Sequence, residues 1–290
     1  MKKKGLLFLL LIACIVPKLR AQGLAADTAF RFTHRISRSV NNWIVFPKQA
    51  DIDAYPFGYL YIDPSSGFVF NLEGFFKTDG RGRFIRIKQK INEATHQRYM
   101  LKRGAQKTLV AIINSDHNEE LDIYPRPAWF DNYNTYTDTL VHCIDWAKAY
   151  NDIKDGEMAV AILKAPYKIT PHAPGLELEL ARAYNGVKRF DDAIKVAEAA
   201  LLYNYGEPLL YKELGFAQLS KGRLNEALDT FNAGIKLCDR TQAEEKAEMA
   251  MNMAITYRSK NDKQNYLEWM DFARAWAPHD SEVADMLNDM

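Results

Sequence analysis

The sequence predicts a chain of mixed α and β class, with a small antiparallel β-meander closed as a barrel or sandwich, followed by a superhelical array of helix pairs. Three observations predict it. Ala159, Ala193 and Ala227 recur 34 residues apart, a period that suits one helical hairpin per repeat and no single helix. Between about Gln22 and Tyr136 apolar residues alternate in short runs bounded by turn residues. A length of 290 residues suits two domains of roughly 100–200 residues each.

The chain opens on Lys2, Lys3 and Lys4, then an apolar run from Gly5 to Val16 broken at Pro17. That run is too short to span a bilayer, and its basic flank reads as a secretory signal peptide over residues 1–21, so the protein is expected to be exported. Cleavage after Ala21 is one expectation. The alternative is a lipobox, Leu11-Ile12-Ala13-Cys14, which would anchor the chain at Cys14 and associate it with the outer membrane.

Without residues 1–21 the chain has 33 basic against 37 acidic side chains, a net of −4, with +3 in segment 22–135 and −7 in 136–290. Neither half has the strongly basic balance of a nucleic-acid binder. An acidic array suits a basic partner or simple solubility. Cys143 and Cys238 fall in the first and third repeats, too far apart for a bridge, and are expected to be inert thiols.

In segment 22–135, strands are predicted at Asn42–Phe46, Phe57–Asp63, Gly67–Leu72, Arg83–Lys90, Gln97–Lys102, Thr108–Asn114 and Glu120–Tyr124. Asp63-Pro64-Ser65-Ser66-Gly67 and Thr78-Asp79-Gly80-Arg81-Gly82 carry hairpin chemistry. Ile85, Ile87 and Ile91 should be buried, with Arg86, Lys88 and Lys90 wet on the other face, as a solvated edge or a row for anionic glycan or lipid. Asp27–Val40 is a helix on the sheet or a first strand. The aromatic run Trp129–Tyr136 should dock the sheet against the first repeat, the other choice being a sugar platform.

In segment 136–290, about four repeats start near residues 140, 174, 208 and 247, and Ser281–Met290 makes a capping helix with Ser281 as N-cap. The eighth position is Ala147, Ala181 and Gly215, small where helices packed about 8–10 Å apart must touch. The eleventh is Tyr150, Tyr184 and Gln218. Pro166 should end or kink the second helix of its repeat, and Tyr266 stands at the twentieth position of the fourth.

With Tyr211, Leu214, Gly215, Ala227 and Phe231 at matching offsets in the third copy, this half resembles the tetratricopeptide repeat. Leu180, Tyr184 and Ala193, then Trp146, Ala147, Tyr150, Ala159 and Pro171, and finally Met253, Ala254, Tyr257, Ala273 and Pro278, carry the likeness in the other copies. It implies a concave binding face on the first helices, supplied here by Lys148, Asn151, Arg182, Asn185, Lys212, Phe216, Leu219, Met251, Ile255 and Arg258. A cation one turn from an asparagine, in two successive copies, would offer donors to a carboxylate or peptide backbone. The alternative is a set of ordinary solvated residues. Ile144 stands where a carboxylate-clamping member has lysine, so that ligand class is not carried over.

The sequence holds no glycine-rich phosphate loop, His-Glu-x-x-His, Cys-x-x-Cys or Gly-x-Ser-x-Gly element. Its histidines, His34, His96, His117, His142, His172 and His279, lack helical ligand spacing, and Asp51 and Asp53 have no identifiable partner. Asp116, Glu119, Glu120 and Asp122 around His117 could hold calcium, but a polar hairpin tip explains them equally well. No cofactor is expected. The expected function is a non-catalytic scaffold that binds another protein or an extended peptide in the bacterial envelope, not nucleic acid. The alternative is a carbohydrate- or lipid-binding β module, or a hydrolase, with the repeats as docking arm.

Overall fold

The computed structural model describes residues 30–49, 52–79, 81–87, 97–102, 104–133 and 135–290. The expectations for segment 1–21, Cys14, Asp51, Gly80, Lys88, Lys90, Ile91 and His96 lie outside these residues.

Seven antiparallel strands form one sheet: β1 His34–Arg35, β2 Asn42–Val45, β3 Tyr55–Asp63, β4 Gly67–Thr78, β5 Phe84–Ile87, β6 Gln97–Met100 and β7 Leu109–Ile112. Their order is β1-β7-β2-β3-β4-β5, with β6 paired to a separate stretch of β4. The sheet stays open, so the expected barrel or sandwich is not formed.

The predicted hairpin joins β3 to β4. The Asp63 carboxylate accepts from the Ser65 and Ser66 amides, and Gly67 takes φ +71°, which suits a residue without Cβ. Burial pushes the Asp63 carboxyl up, but these bonds, the Ser65 hydroxyl and Arg98 outweigh it and hold it below its ordinary value.

Strand alternation assigns the faces. Leu60, Ile62, Phe68 and Phe70 join Ile36, Ile44 and Val110 in a core that continues without a break into Ala147, Tyr150 and Ile153 of the first repeat. Tyr59 and Tyr61 point the other way, where Trp129 and Phe130 cover them at ring distances of 4.9–6.4 Å. Trp129 and Phe130 therefore cap the far face of the sheet, where the expectation had them dock it on the repeats. At the other end of the run, Tyr136 stacks on His142 of the array at 3.8 Å.

Two further strand expectations are corrected. Register pairs Phe76 with Arg86 and Thr78 with Phe84, which turns Phe84 inward to stack on Phe76 at 4.6 Å and leaves Ile85 exposed. Aromatic stacking on the covered face outcompetes the isoleucine alternation. Arg86, expected to be wet, donates to the Leu121 carbonyl and pairs with Glu73 at 2.8 Å. Glu120–Tyr124 is no strand: Asn114 caps a 3-10 turn that runs into the short helix α1, Asn118–Leu121, and Asp122 ends it in the left-handed region. Within Asp27–Val40 the described part is β1 and a 3-10 turn at Ile36–Arg38, not a helix.

After α2, Phe130–Tyr133, eight helices form four hairpins: α3 Thr139–Asp152 with α4 Gly156–Ile169, α5 Leu176–Gly186 with α6 Phe190–Leu201, α7 Pro208–Ser220 with α8 Leu224–Leu237, and α9 Ala243–Ser259 with α10 Lys263–Trp276. The helix α11, Glu282–Asn288, follows, and the Ser281 side chain accepts from the Ala284 amide at its start. Pro166 lies inside α4, which continues to Ile169 and so does not end there as allowed for. The fourth repeat starts about five residues later than the 34-residue period would put it, and the extra length is absorbed by a 3-10 turn at Arg240–Gln242 and by α9, at 17 residues.

Ala159, Ala193 and Ala227 are each fully buried, as are Ala147 and Ala181. Gly215 replaces alanine for a visible reason: a Cβ there would lie 2.6 Å from the Phe231 ring. The equivalent of Phe231 in the preceding repeat is Ala197, so bulk has moved from one helix to its partner. The sheet occupies the place of a missing preceding repeat. A Cβ on Gly67 would touch the Ala149 side chain at 3.9 Å, and one period later a Cβ on Gly156 would press on the Ala183 carbonyl at 2.8 Å. Ser37 donates to the buried face of Asp155 at 2.7 Å and ties the sheet to the start of α4.

Candidate binding groove

The first helices α3, α5, α7 and α9 pack on one another in succession, whereas second helices pack chiefly on the first helices before and after them. The array therefore curves with its first helices inside, and their exposed side chains line the inner face.

The asparagines predicted to line that face are not available to a ligand. Asn151 is buried, and its amide donates both to the Glu179 carbonyl at 2.9 Å and to the Glu179 carboxylate at 2.8 Å. Asn185 repeats the arrangement with Glu213, both distances being 2.9 Å. Each amide nitrogen has two hydrogens, and both are committed to the next repeat. The expected donor ladder is thus a set of latches between repeats. The third interface has Leu219 instead of asparagine and Asn252 instead of glutamate, so the latch ends there.

Arg182 and Lys212 are likewise engaged. Arg182 pairs with Asp152 at 2.8 Å and Glu179 at 3.5 Å, and Lys212 with Glu248 at 2.8 Å and Glu213 at 3.9 Å. Burial alone would lower both cations, but Glu179 and Asp152 for Arg182, and Glu248 and Glu213 for Lys212, hold them above their ordinary values. Burial raises the Glu179 carboxyl against the pull of Arg182 and Asn151.

What remains open on this face is apolar in its second half. Phe216 is 37% exposed, its ring 6.3 Å from that of Phe190 on α6, while Leu219 and Ile255 are half-buried and Met251 is buried. Lys148 and Arg258 are exposed at the two ends, and Arg258 lies 5.8 Å over the Tyr266 ring. Gln218, at the position of Tyr150 and Tyr184, is buried with its carbonyl oxygen unpartnered. The acidic sixth positions Asp145, Glu179 and Glu213 were missed from the sequence, although their 34-residue spacing, 28 residues after each asparagine for the last two, was there to be counted.

Elsewhere, the acidic group near His117 is a capped turn, not the tip of a hairpin between strands. Glu120 accepts from the Phe84 amide and pairs with His117 at 2.8 Å, and those bonds, led by the Phe84 amide, lower its carboxyl. Asp53 pairs with Lys48 and Lys77, each at 3.0 Å. Cys143 and Cys238 are free thiols, raised by burial. Among the described residues, no group of three or more His, Cys, Asp or Glu side chains is placed to hold a metal ion, and no helix is long and apolar enough to cross a membrane.

No family profile and no curated protein sequence matches the chain. Solved structures do. They include a TPR protein of Thermus thermophilus, TTC0263, at 18% identity and TM-score 0.45 over 56% of this chain and 84% of that one. YrrB, described as a TPR protein with an unusual peptide-binding site, is similar at 18% identity and TM-score 0.42, over 52% and 75% of the two chains. MamA of Desulfovibrio magneticus is similar at 16% identity and TM-score 0.41, over 50% and 78%. Residues 139–276 form four successive helical hairpins, as the resemblance to the tetratricopeptide repeat predicts.

Proposed function

We propose that this chain is an exported, non-catalytic scaffold of the bacterial cell envelope, whose inner helical face holds an extended segment of another protein. One observation carries the groove: on the first helix α7, Phe216 stays 37% exposed even with its ring 6.3 Å from that of Phe190, and Leu219 and Ile255 on the first helices are half-buried. A large ring left open on a concave surface is a site that a partner side chain can fill. Export rests on the basic-flanked apolar run of residues 5–16, with anchoring through Cys14 as the variant that would place the chain at the outer membrane.

A pull-down from membranes, using the whole protein as bait, tests the groove. Phe216→Ala with Leu219→Ala should lose the band that wild type retains, and unchanged recovery would remove the groove from the account. Changing Arg182, Asn185 and Lys212 is a poorer test, because these side chains hold adjacent repeats together. Cell fractionation tests the address. A chain found entirely in the cytoplasm would contradict it.

A further inference from the structure

Building on the reading of the inner face as a peptide groove, we propose that the segment it takes is basic and apolar, not acidic. Its apolar side chains would lie on Phe216, Leu219 and Ile255, and its lysines or arginines against Asp145, Asp152 and Glu248.

The ion pairs between first helices are asymmetric in one sense. In the pair of Arg182 with Asp152 the cation is 29% exposed and the carboxylate 47%. In the pair of Lys212 with Glu248 the values are 17% and 38%. The carboxylate is the outer member both times. Behind each cation a second carboxylate, Glu179 or Glu213, closes the inner side with 8% and 10% of its side chain exposed. An acidic ligand must therefore compete for cations that already have two carboxylates each, whereas a basic ligand meets the more exposed member of each pair.

Asp145 extends the pattern by one repeat. It holds the position of Glu179 and Glu213, but the sheet precedes it where an asparagine-bearing helix would be, and no ion pair of it occurs among the described residues. Lys148 is the exposed cation of this end. It lies three residues after Asp145 and four before Asp152 on α3, within reach of both. At the other end Arg258 sits over Tyr266. The net charge of −7 over 136–290 has the same sign as the outward-facing carboxylates.

The test uses the whole protein and three fluorescein-labelled pools of randomised peptides that share leucine, phenylalanine and serine and differ in a fourth residue: lysine, glutamate or glutamine. Fluorescence anisotropy should show the lysine pool binding about tenfold tighter than the glutamine pool, as expected for a few rim-exposed charge pairs. Asp145→Asn, which breaks no ion pair seen here, should reduce that preference, and Asp152→Asn with Glu248→Gln should abolish it while binding of the glutamine pool persists, the sign that the repeats still pack. Glu198→Gln with Asp229→Asn, on the second helices, should leave it intact. Phe216→Ala should weaken every pool. A preference for the glutamate pool, equal binding of all pools, or a lysine preference that survives the groove substitutions overturns the inference; the groove reading then stands if Phe216→Ala still weakens binding. Absence of binding, or binding indifferent to Phe216, overturns both.

Discussion

Gly215→Ala is the substitution whose effect the packing decides most sharply. In an isolated helix, alanine should gain about 1 kcal/mol over glycine. Here the new methyl would stand 2.6, 2.7 and 2.9 Å from three ring atoms of Phe231, which is fully buried and cannot swing aside. Overpacking of this kind costs about 1–3 kcal/mol. The net expectation is a loss of up to about 2 kcal/mol. Phe231→Ala alone should cost about 3–5 kcal/mol. In that background Gly215→Ala should change sign and stabilise by about 1 kcal/mol, because the pair then reproduces Ala181 and Ala197 of the preceding repeat. Urea titration followed by circular dichroism measures the four members of the cycle. If Gly215→Ala stabilises with Phe231 in place, or if the two changes add, then bulk has not been exchanged between the two helices and the proposed equivalence of the repeats is wrong.

Asn185→Ala should cost about 1–3 kcal/mol, since it strips the Glu213 carboxylate and carbonyl of buried partners; an unshifted urea midpoint would show the latch to be inert. Gln218→Leu removes a buried oxygen that has no partner and should raise stability by about 1 kcal/mol, which thermal melting can check. Glu179 has a folded-state pKa above its unfolded value, so its ionisation opposes folding increasingly as pH rises from about 4.3 towards that raised value. Relative to Glu179→Gln, the wild type should therefore gain stability as pH falls through this window, and parallel melting curves from neutral pH to pH 4 would contradict the assignment. Asp63 runs the other way: its depressed pKa supplies stability above about pH 4 that is lost on further acidification, and Asp63→Asn should remove that acid limb.

The repeat half was legible because a 34-residue period states the same contacts several times over. Small residues at Ala147, Ala181, Ala159, Ala193 and Ala227 turned out to be buried at helix crossings. The lining of the groove was less legible. A lysine or arginine near an asparagine looks like a free donor until the carboxylates of the next repeat are counted, and Glu179 and Glu213 stand there at the same period. In the sheet, the turn at Asp63–Gly67 was readable from local chemistry, whereas the face of β5 was not. Ile85 and Ile87 follow a clean alternation, but the stack of Phe84 on Phe76 depends on a pairing register that no local pattern encodes. Trp129 and Phe130 stand at the junction between the modules in sequence, yet the tyrosines they cover are on the opposite face of the sheet from the repeats.

Site-specific photocrosslinking in cells tests the recognition surface most directly. A benzophenone side chain placed at Phe216 or at Ile255 should join the same segment of one partner protein, whereas placement at Tyr205, exposed on an inter-repeat turn, should not. Adducts that form from Tyr205 and not from Phe216 would put the partner elsewhere and contradict the account.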